Sequence, residues 1–268
     1  MGRRNGGAAT VRRGDLRQGS SQSTARTFRR ALLVFLAQKD RHGARAAAPK
    51  AACRLTPALN WHWEILPASQ RDVWDSTLGR GIRGWVLYGE TALALRLGHR
   101  QSIDFDFFSA DPFEPLHFNE QMHFGGDILQ AEPNTLSVMH EGVKLSFFGG
   151  LSLGVVEPPD LLDNCPIASL PDLGACKLAA LVNRVELKDY LDVAALLWGG
   201  ADLSYLLGCA EAVYHSAFPT AACLKSLTWF DDPALAGLGP DDRIVLERAA
   251  LSVESIPTVS LSADRIGQ

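Results

Sequence analysis

By type and spacing, Asp104 and Asp106 are the residues of this chain best suited to chemistry. They stand in the segment Ser102-Ile103-Asp104-Phe105-Asp106-Phe107-Phe108. Alternate side chains of a strand share a face, so Ile103, Phe105 and Phe107 point one way and the two carboxylates the other. Strand rise separates their Cα atoms by roughly 7 Å, and the side chains can converge on one ion. Two bare carboxylates this close on an apolar strand repel unless a cation lies between them. Their hard oxygens suit Mg²⁺, or Mn²⁺. Such a pair supports metal-assisted transfer: an acceptor hydroxyl attacks the α-phosphorus of a nucleoside triphosphate in line, and pyrophosphate leaves. The competing reading is a half-exposed strand whose polar face is acidic by chance, because Asp-x-Asp alone is a weak motif.

The elements around this strand strengthen the first reading. Trp85-Val86-Leu87-Tyr88 predicts a short buried strand that Gly89 ends. Residues 91–97 form a strong helix closed by Gly98, and the acidic strand follows over 102–108. The free backbone N–H groups at Gly89-Glu90-Thr91 suit a phosphate. The span from Gly89 to Asp104 lets the helix fold back beside the second strand, which sets that turn next to the metal.

Elsewhere, residues 68–80 predict a helix with Val73, Trp74 and Leu78 on one face. A hairpin pairs 135–140 with 143–148 through a turn at Glu141-Gly142, and Pro158-Pro159 breaks the chain. Helices are expected from a cap at Asp172 to about Val185, then over 187–198, 202–216, 219–229 and 240–252. The class is α+β: an α/β domain with a small mixed sheet over 55–160, then a C-terminal helical bundle over 161–268 that contributes to the active site. Residues 1–54 are expected to be a basic, disordered extension, with one short helix over 27–38 and globular sequence from near Leu55.

Bulk composition excludes several classes. The chain has 268 residues, 47% apolar and 21% charged, which is an ordinary globular balance. The longest apolar run, residues 31–37, is far too short for a membrane span. The five cysteines form no CxxC pair, which argues for reduced structural thiols in a cytoplasmic protein and against zinc. Residues 1–50 carry twelve Lys or Arg against two acids, and the remainder carries 14 basic and 28 acidic residues. An acidic body does not attract a polyanion by its overall field, so RNA would need a local basic patch or the tail. No Walker lysine motif, GxGxxG fingerprint, GxSxG elbow or HExxH is present.

The stretch from Tyr88 to Phe108, beginning Tyr-Gly-Glu-Thr-Ala-Leu and ending Ser-Ile-Asp-Phe-Asp-Phe-Phe, resembles the first motif of the AbiEii/AbiGii toxin nucleotidyltransferases. These belong to the polymerase-β-like minimal nucleotidyltransferase superfamily. Lys177-Leu178-Ala179-Ala180-Leu181, then Arg184 and Lys188-Asp189-Tyr190-Leu191-Asp192, resemble that family's helical lysine and its Lys-Asp motif. The likeness covers about residues 60–250 and includes Leu224-Lys225-Ser226-Leu227-Thr228-Trp229-Phe230.

The resemblance implies a minimal nucleotidyltransferase domain and transfer from an NTP in the presence of Mg²⁺ or Mn²⁺. It implies the toxin of a toxin–antitoxin or phage-defence system, with tRNA as a candidate acceptor and an antitoxin as a candidate partner. Asp104 and Asp106 match the metal carboxylates. Lys177 matches a lysine that meets the triphosphate, and Lys188 and Asp189 match the later active-site motif. Gly89, Glu90 and Thr91 form the nucleotide-binding turn, and Arg100 could reach a phosphate with its charged fork.

The chain departs from the family twice. The glycine turn usually reads Gly-Gly or Gly-Ser, whereas here it reads Gly89-Glu90, and a glutamate repels a triphosphate unless it turns away or binds a cation. Many superfamily members also carry a third carboxylate on a neighbouring strand. Residues 143–148 offer Lys144 and Ser146 instead, which leaves Asp189 or Glu141 as substitutes. These departures motivate two alternatives: a non-catalytic nucleotide- or partner-binding protein on this fold, or a small-molecule enzyme like those that modify aminoglycosides, whose cationic acceptor an acidic body would favour.

Bland readings stand beside the remaining residues. Lys177 could pack its stem and keep its head in water. Lys188 and Asp192, four apart, could form a surface pair, and Asp189 could serve the helix dipole. His117 and His123 are read as structural or solvent-facing, and the six tryptophans as core.

Overall fold

The computed structural model describes residues 60–215 and 218–267. The expected basic extension, its helix over 27–38, the start near Leu55 and Cys53 lie outside the described residues.

Helix α1 (Ala68–Ser76) is followed by a 3₁₀ turn (Leu78–Arg80), in place of one helix over 68–80. Val73, Trp74 and Leu78 are nonetheless fully buried together. Strand β1 (Val86–Tyr88) leads without a loop into α2 (Gly89–Leu97), and β2 (Asp104–Phe108) returns antiparallel to β1. The acidic strand thus begins two residues later than expected. Ile103 precedes it and is 59% exposed rather than aligned with Phe105 and Phe107. Its carbonyl accepts a hydrogen bond from Gln70 Nε2, which ties the strand entrance to α1.

After α3 (Pro115–Met122) come β3 (Ile128–Glu132), β4 (Thr135–His140) and β5 (Val143–Phe148). The β4–β5 hairpin has its expected bounds, closed by Glu141 and Gly142 at φ of 50° and 78°. Two consecutive positive φ values are what a two-residue turn needs to match strand twist. Strands β6 (Asp160–Leu162) and β7 (Cys165–Ile167) complete a seven-stranded mixed sheet of order β3-β4-β5-β2-β1-β7-β6. An expected domain boundary at 160 therefore falls inside β6.

Helices α4 (Leu170–Asn183), α5 (Leu187–Trp198), α6 (Leu203–Tyr214), α7 (Thr220–Ser226) and α8 (Pro240–Leu251) follow. The fold is α+β, a mixed sheet followed by helices, as the element order implied. Helix α4 is buried from Leu170 to Leu181 and packs against α2, α5, α6 and α7, as a helix apolar on all sides must. Its cap is Ser169, not Asp172. The Asp172 carboxylate instead accepts from Val156 N–H (2.8 Å) and Glu157 N–H (3.2 Å), pinning the loop before β6. Pro171, in the first turn, suits an earlier start because its missing N–H would be unpaired there anyway.

The core is aromatic on the far side of β2: Phe107 stacks on Phe147 at 5.2 Å, and Trp85 meets Phe147 edge-on. Trp74 and Trp85 are core, but Trp198 and Trp229 are 60% and 48% exposed. Trp198 lies at the end of α5 and donates its indole N–H to Asp242 at 3.0 Å, which keeps it at the surface. His117 and His123 are exposed, and Cys165, Cys176, Cys209 and Cys223 are buried free thiols. Among the described residues, no helix is long and apolar enough to cross a membrane.

Candidate active site

Strand pairing builds the front of the site. Across β1 and β2, Tyr88 faces Asp106, so Asp106 lies against the first residue of α2. Gly89 has φ of +73°, and a Cβ there would stand 2.6 Å from Asp106 Oδ2. The backbone turn and the carboxylate therefore touch, and only glycine permits both the dihedral and the approach. Gly89→Ala should cost about 1–3 kcal/mol for the disfavoured backbone. It should also lower any metal-dependent transfer about 10²-fold by moving Asp106. Thermal melting and a transfer assay on the same preparation would check both, and a fully active Ala variant would sink the positional argument.

Across β2 and β5, which run parallel, Asp104 faces Lys144 and Asp106 faces Ser146. Lys144 Nζ lies 3.3 Å from Asp104 Oδ2. The strand where many superfamily members carry a third acid thus contributes a cation, while Ser146 hydrogen-bonds Ser137 in the interior. Burial, with Asp104 and Glu90 nearby and only partly offset by Lys144, pushes the Asp106 carboxyl up to about 6. Thr91 is buried; its hydroxyl donates to the Asp104 carbonyl and shares a hydrogen bond with Ser102 Oγ, fastening α2 to the start of β2.

The rear wall comes from α4 and α5, which both pack on α2. Lys177 projects from α4 into a buried ionic cluster. Its Nζ lies 2.5 Å from Asp192 Oδ2, 3.0 Å from Asp189 Oδ1 and 3.8 Å from Glu90 Oε1. Asp189 also receives Arg184 Nε at 2.7 Å and Nη2 at 3.1 Å. Asp192 receives Arg100 Nε at 2.7 Å and Nη2 at 2.9 Å, with His99 Nε2 at 2.8 Å. Both aspartates are wholly buried. Burial opposes their charges, but Lys177, with Arg184 at Asp189 and with His99 and Arg100 at Asp192, holds both carboxyls below the ordinary range. Burial likewise opposes the Lys177 ammonium, and Asp192, Asp189 and Glu90 outweigh it, so its pKa rises.

Glu90 joins front and rear. Its carboxylate contacts Lys188 Nζ at 2.7 Å and Arg100 Nη2 at 3.1 Å. Lys188 therefore does not form the simple helix-surface pair with Asp192; it reaches Glu90 and Glu186 instead. Gly89, Glu90, Asp104, Asp106, Lys177 and Lys188 line one cleft, which Lys144 and Arg184 also border. Arg100, Thr91 and Asp189 are engaged behind or beside it by the contacts given above. Glu141 stands in the exposed hairpin turn.

Asp192, His99, Arg184 and Lys144 carry more of the site than local sequence suggested. The available signal was helical spacing: Asp189 and Asp192 share a face of α5, and that face meets Lys177.

A sequence model of the family described as nucleotidyl transferase AbiEii toxin, type IV toxin–antitoxin system, matches residues 81–242, more than half of the chain and every cleft residue named above. The chain belongs to the AbiEii nucleotidyl transferase toxin family. An uncharacterized protein of Aquifex aeolicus (strain VF5) is 30% identical over 175 residues, covering 62% of this chain and 84% of that protein. Across the AbiEii-type chain, the Asp-x-Asp strand, the glycine turn and the helical lysine thus belong to one cleft.

Proposed function

We propose that this AbiEii-type cleft transfers a nucleoside monophosphate from an NTP to a hydroxyl of tRNA, as the toxin of a system with a cognate antitoxin. The observation that carries the reading is the pair Asp104 and Asp106 on one face of β2, beside the uncapped N-terminus of α2 and within a ring of lysine and arginine.

The donor set fits Mg²⁺. Among the described residues no three His, Cys, Asp or Glu side chains gather as a metal group. Mg²⁺ commonly takes one or two carboxylates and fills its remaining positions with water and substrate phosphates. Asp104 and Asp106 would hold it, and the Lys144 ammonium already lies against Asp104 as a fixed positive charge. The ion would neutralise phosphate charge and polarise the phosphorus–oxygen bonds. Lys188 and Arg184 would face the phosphates, and the first-turn N–H groups of α2 would point at them. Lys177, paired with Asp189 and Asp192, forms the buried ionic wall behind these groups.

The test is incubation with each α-labelled NTP, total tRNA and Mg²⁺. Wild-type protein should label the RNA, chelation should stop the labelling, and Asp104→Ala should reduce it by about 10³-fold or more. Absence of transfer to RNA for all four nucleotides would remove the acceptor assignment.

A further inference from the structure

Glu90 puts a negative charge where the incoming substrate brings its own. It lies in the first turn of α2, the positive end of that helix. Its carboxylate takes the contacts that a phosphate would make there: Lys188 at 2.7 Å, Arg100 at 3.1 Å and Lys177 at 3.8 Å. Two of these cations have other close partners. Lys177 lies 2.5 Å from Asp192, and Arg100 grips the same aspartate with two nitrogens. Lys188 differs. It is 33% exposed, it lines the cleft, and its other carboxylate contact is Glu186 at 3.5 Å. A phosphate that reaches Lys188 therefore competes with the Glu90 carboxylate already held against it.

We propose that Glu90 is an internal competitor for polyphosphate, holding Lys188 until a triphosphate displaces it and recapturing Lys188 as pyrophosphate leaves. The physiological ligand named here rests on the nucleotidyl-transfer reading, but the competition is simply between a carboxylate and a phosphate for one ammonium group. Glu90 lowers affinity for substrate and product alike, and so favours release of the product. A glutamate that only positioned Lys188 would have the opposite effect, because its loss would weaken phosphate binding.

Calorimetry on the full chain decides between these, with inorganic tripolyphosphate and pyrophosphate as probes and a chelator present to remove any metal bridge between the anion and Asp104 or Asp106. Glu90→Gln should bind both anions about tenfold tighter than wild type, the size of one screened ion pair in a partly exposed site. Lys188→Gln should bind them more weakly, and Glu90→Gln added to it should recover little, because the gain runs through Lys188. Glu90→Ser carries the same expectation and serves if the glutamine variant melts early. Unchanged or weaker binding in both Glu90 variants, or a full gain without Lys188, overturns the proposal. Its failure is separable from that of the transfer reading. Tighter tripolyphosphate binding without label transfer by wild type would sink only the latter, and transfer with no tightening would sink only the former.

Discussion

Asp106→Asn is expected to abolish nucleotidyl transfer while making the ligand-free protein more stable, by about 2 kcal/mol at pH 8. The two effects share one cause. Asp106 sits against Gly89, where burial, Asp104 and Glu90 push its carboxyl up to about 6. An unfolded aspartate titrates near ~3.9, so the folded chain binds this proton more tightly than the unfolded chain does. Below pH ~4 both states are protonated and the group contributes nothing. Between pH ~4 and ~6 the unfolded state ionises first, and stability falls. Above that the full penalty remains, because a charged Asp106 is buried, with Asp104 and Glu90 nearby and only partly offset by Lys144. Asparagine keeps the shape and removes the charge. Denaturant melts of both proteins should therefore coincide near pH 4 and separate by pH 8, with the variant more stable. Added Mg²⁺ should raise the wild-type midpoint and leave the variant unmoved. A variant less stable than wild type at pH 8 would show that Asp106 is satisfied by its own neighbours and needs no ion.

Lys177→Met should act in the opposite direction, destabilising the fold by about 3–5 kcal/mol. Methionine is close to lysine in length and apolar enough for a helix buried on every side, so packing is nearly preserved. What is lost is a cation shared by Asp189 and Asp192, which are both fully buried. Arg184 and Arg100 remain, each with one aspartate, but the contacts at 3.0 Å and 2.5 Å disappear and two carboxylates stay in the interior. Removing one partner of a buried pair is costly because it strands the other charge, whatever the pair's net worth. The double variant Lys177→Met/Asp192→Asn should recover part of the loss, which a double-mutant cycle measures directly. Equal loss in the single and double variants would refute a charge-based account and point to packing alone.

How much of this was legible in the sequence depends on how local each determinant is. The β4–β5 hairpin and α5 came out with their expected bounds because alternation, a Glu-Gly turn and a Gly-Gly stop act over a few residues. The shared face of Asp104 and Asp106 is likewise a property of one strand. Ends set by neighbours were misplaced. The start of α4 lies earlier because Asp172 serves a loop from another part of the chain. The acidic strand starts later because Ile103 is drawn toward α1.

The residues alone therefore determined the α+β class, the acidic strand, the glycine turn before α2 and the family to which they belong. Tertiary structure decided what each charged group meets. Lys144 opposes Asp104 only because β2 and β5 run parallel in that register, although β5 follows β2 after three intervening elements. Arg100 and His99 reach Asp192 across more than ninety residues of chain, and Lys177 stands between α2 and α5. A charge carries no directional pattern in sequence; its partner is chosen by which surfaces pack, and that choice belongs to the apolar core. The same packing turned Glu90 from a departure in a motif into a carboxylate bound by three cations at the mouth of the cleft.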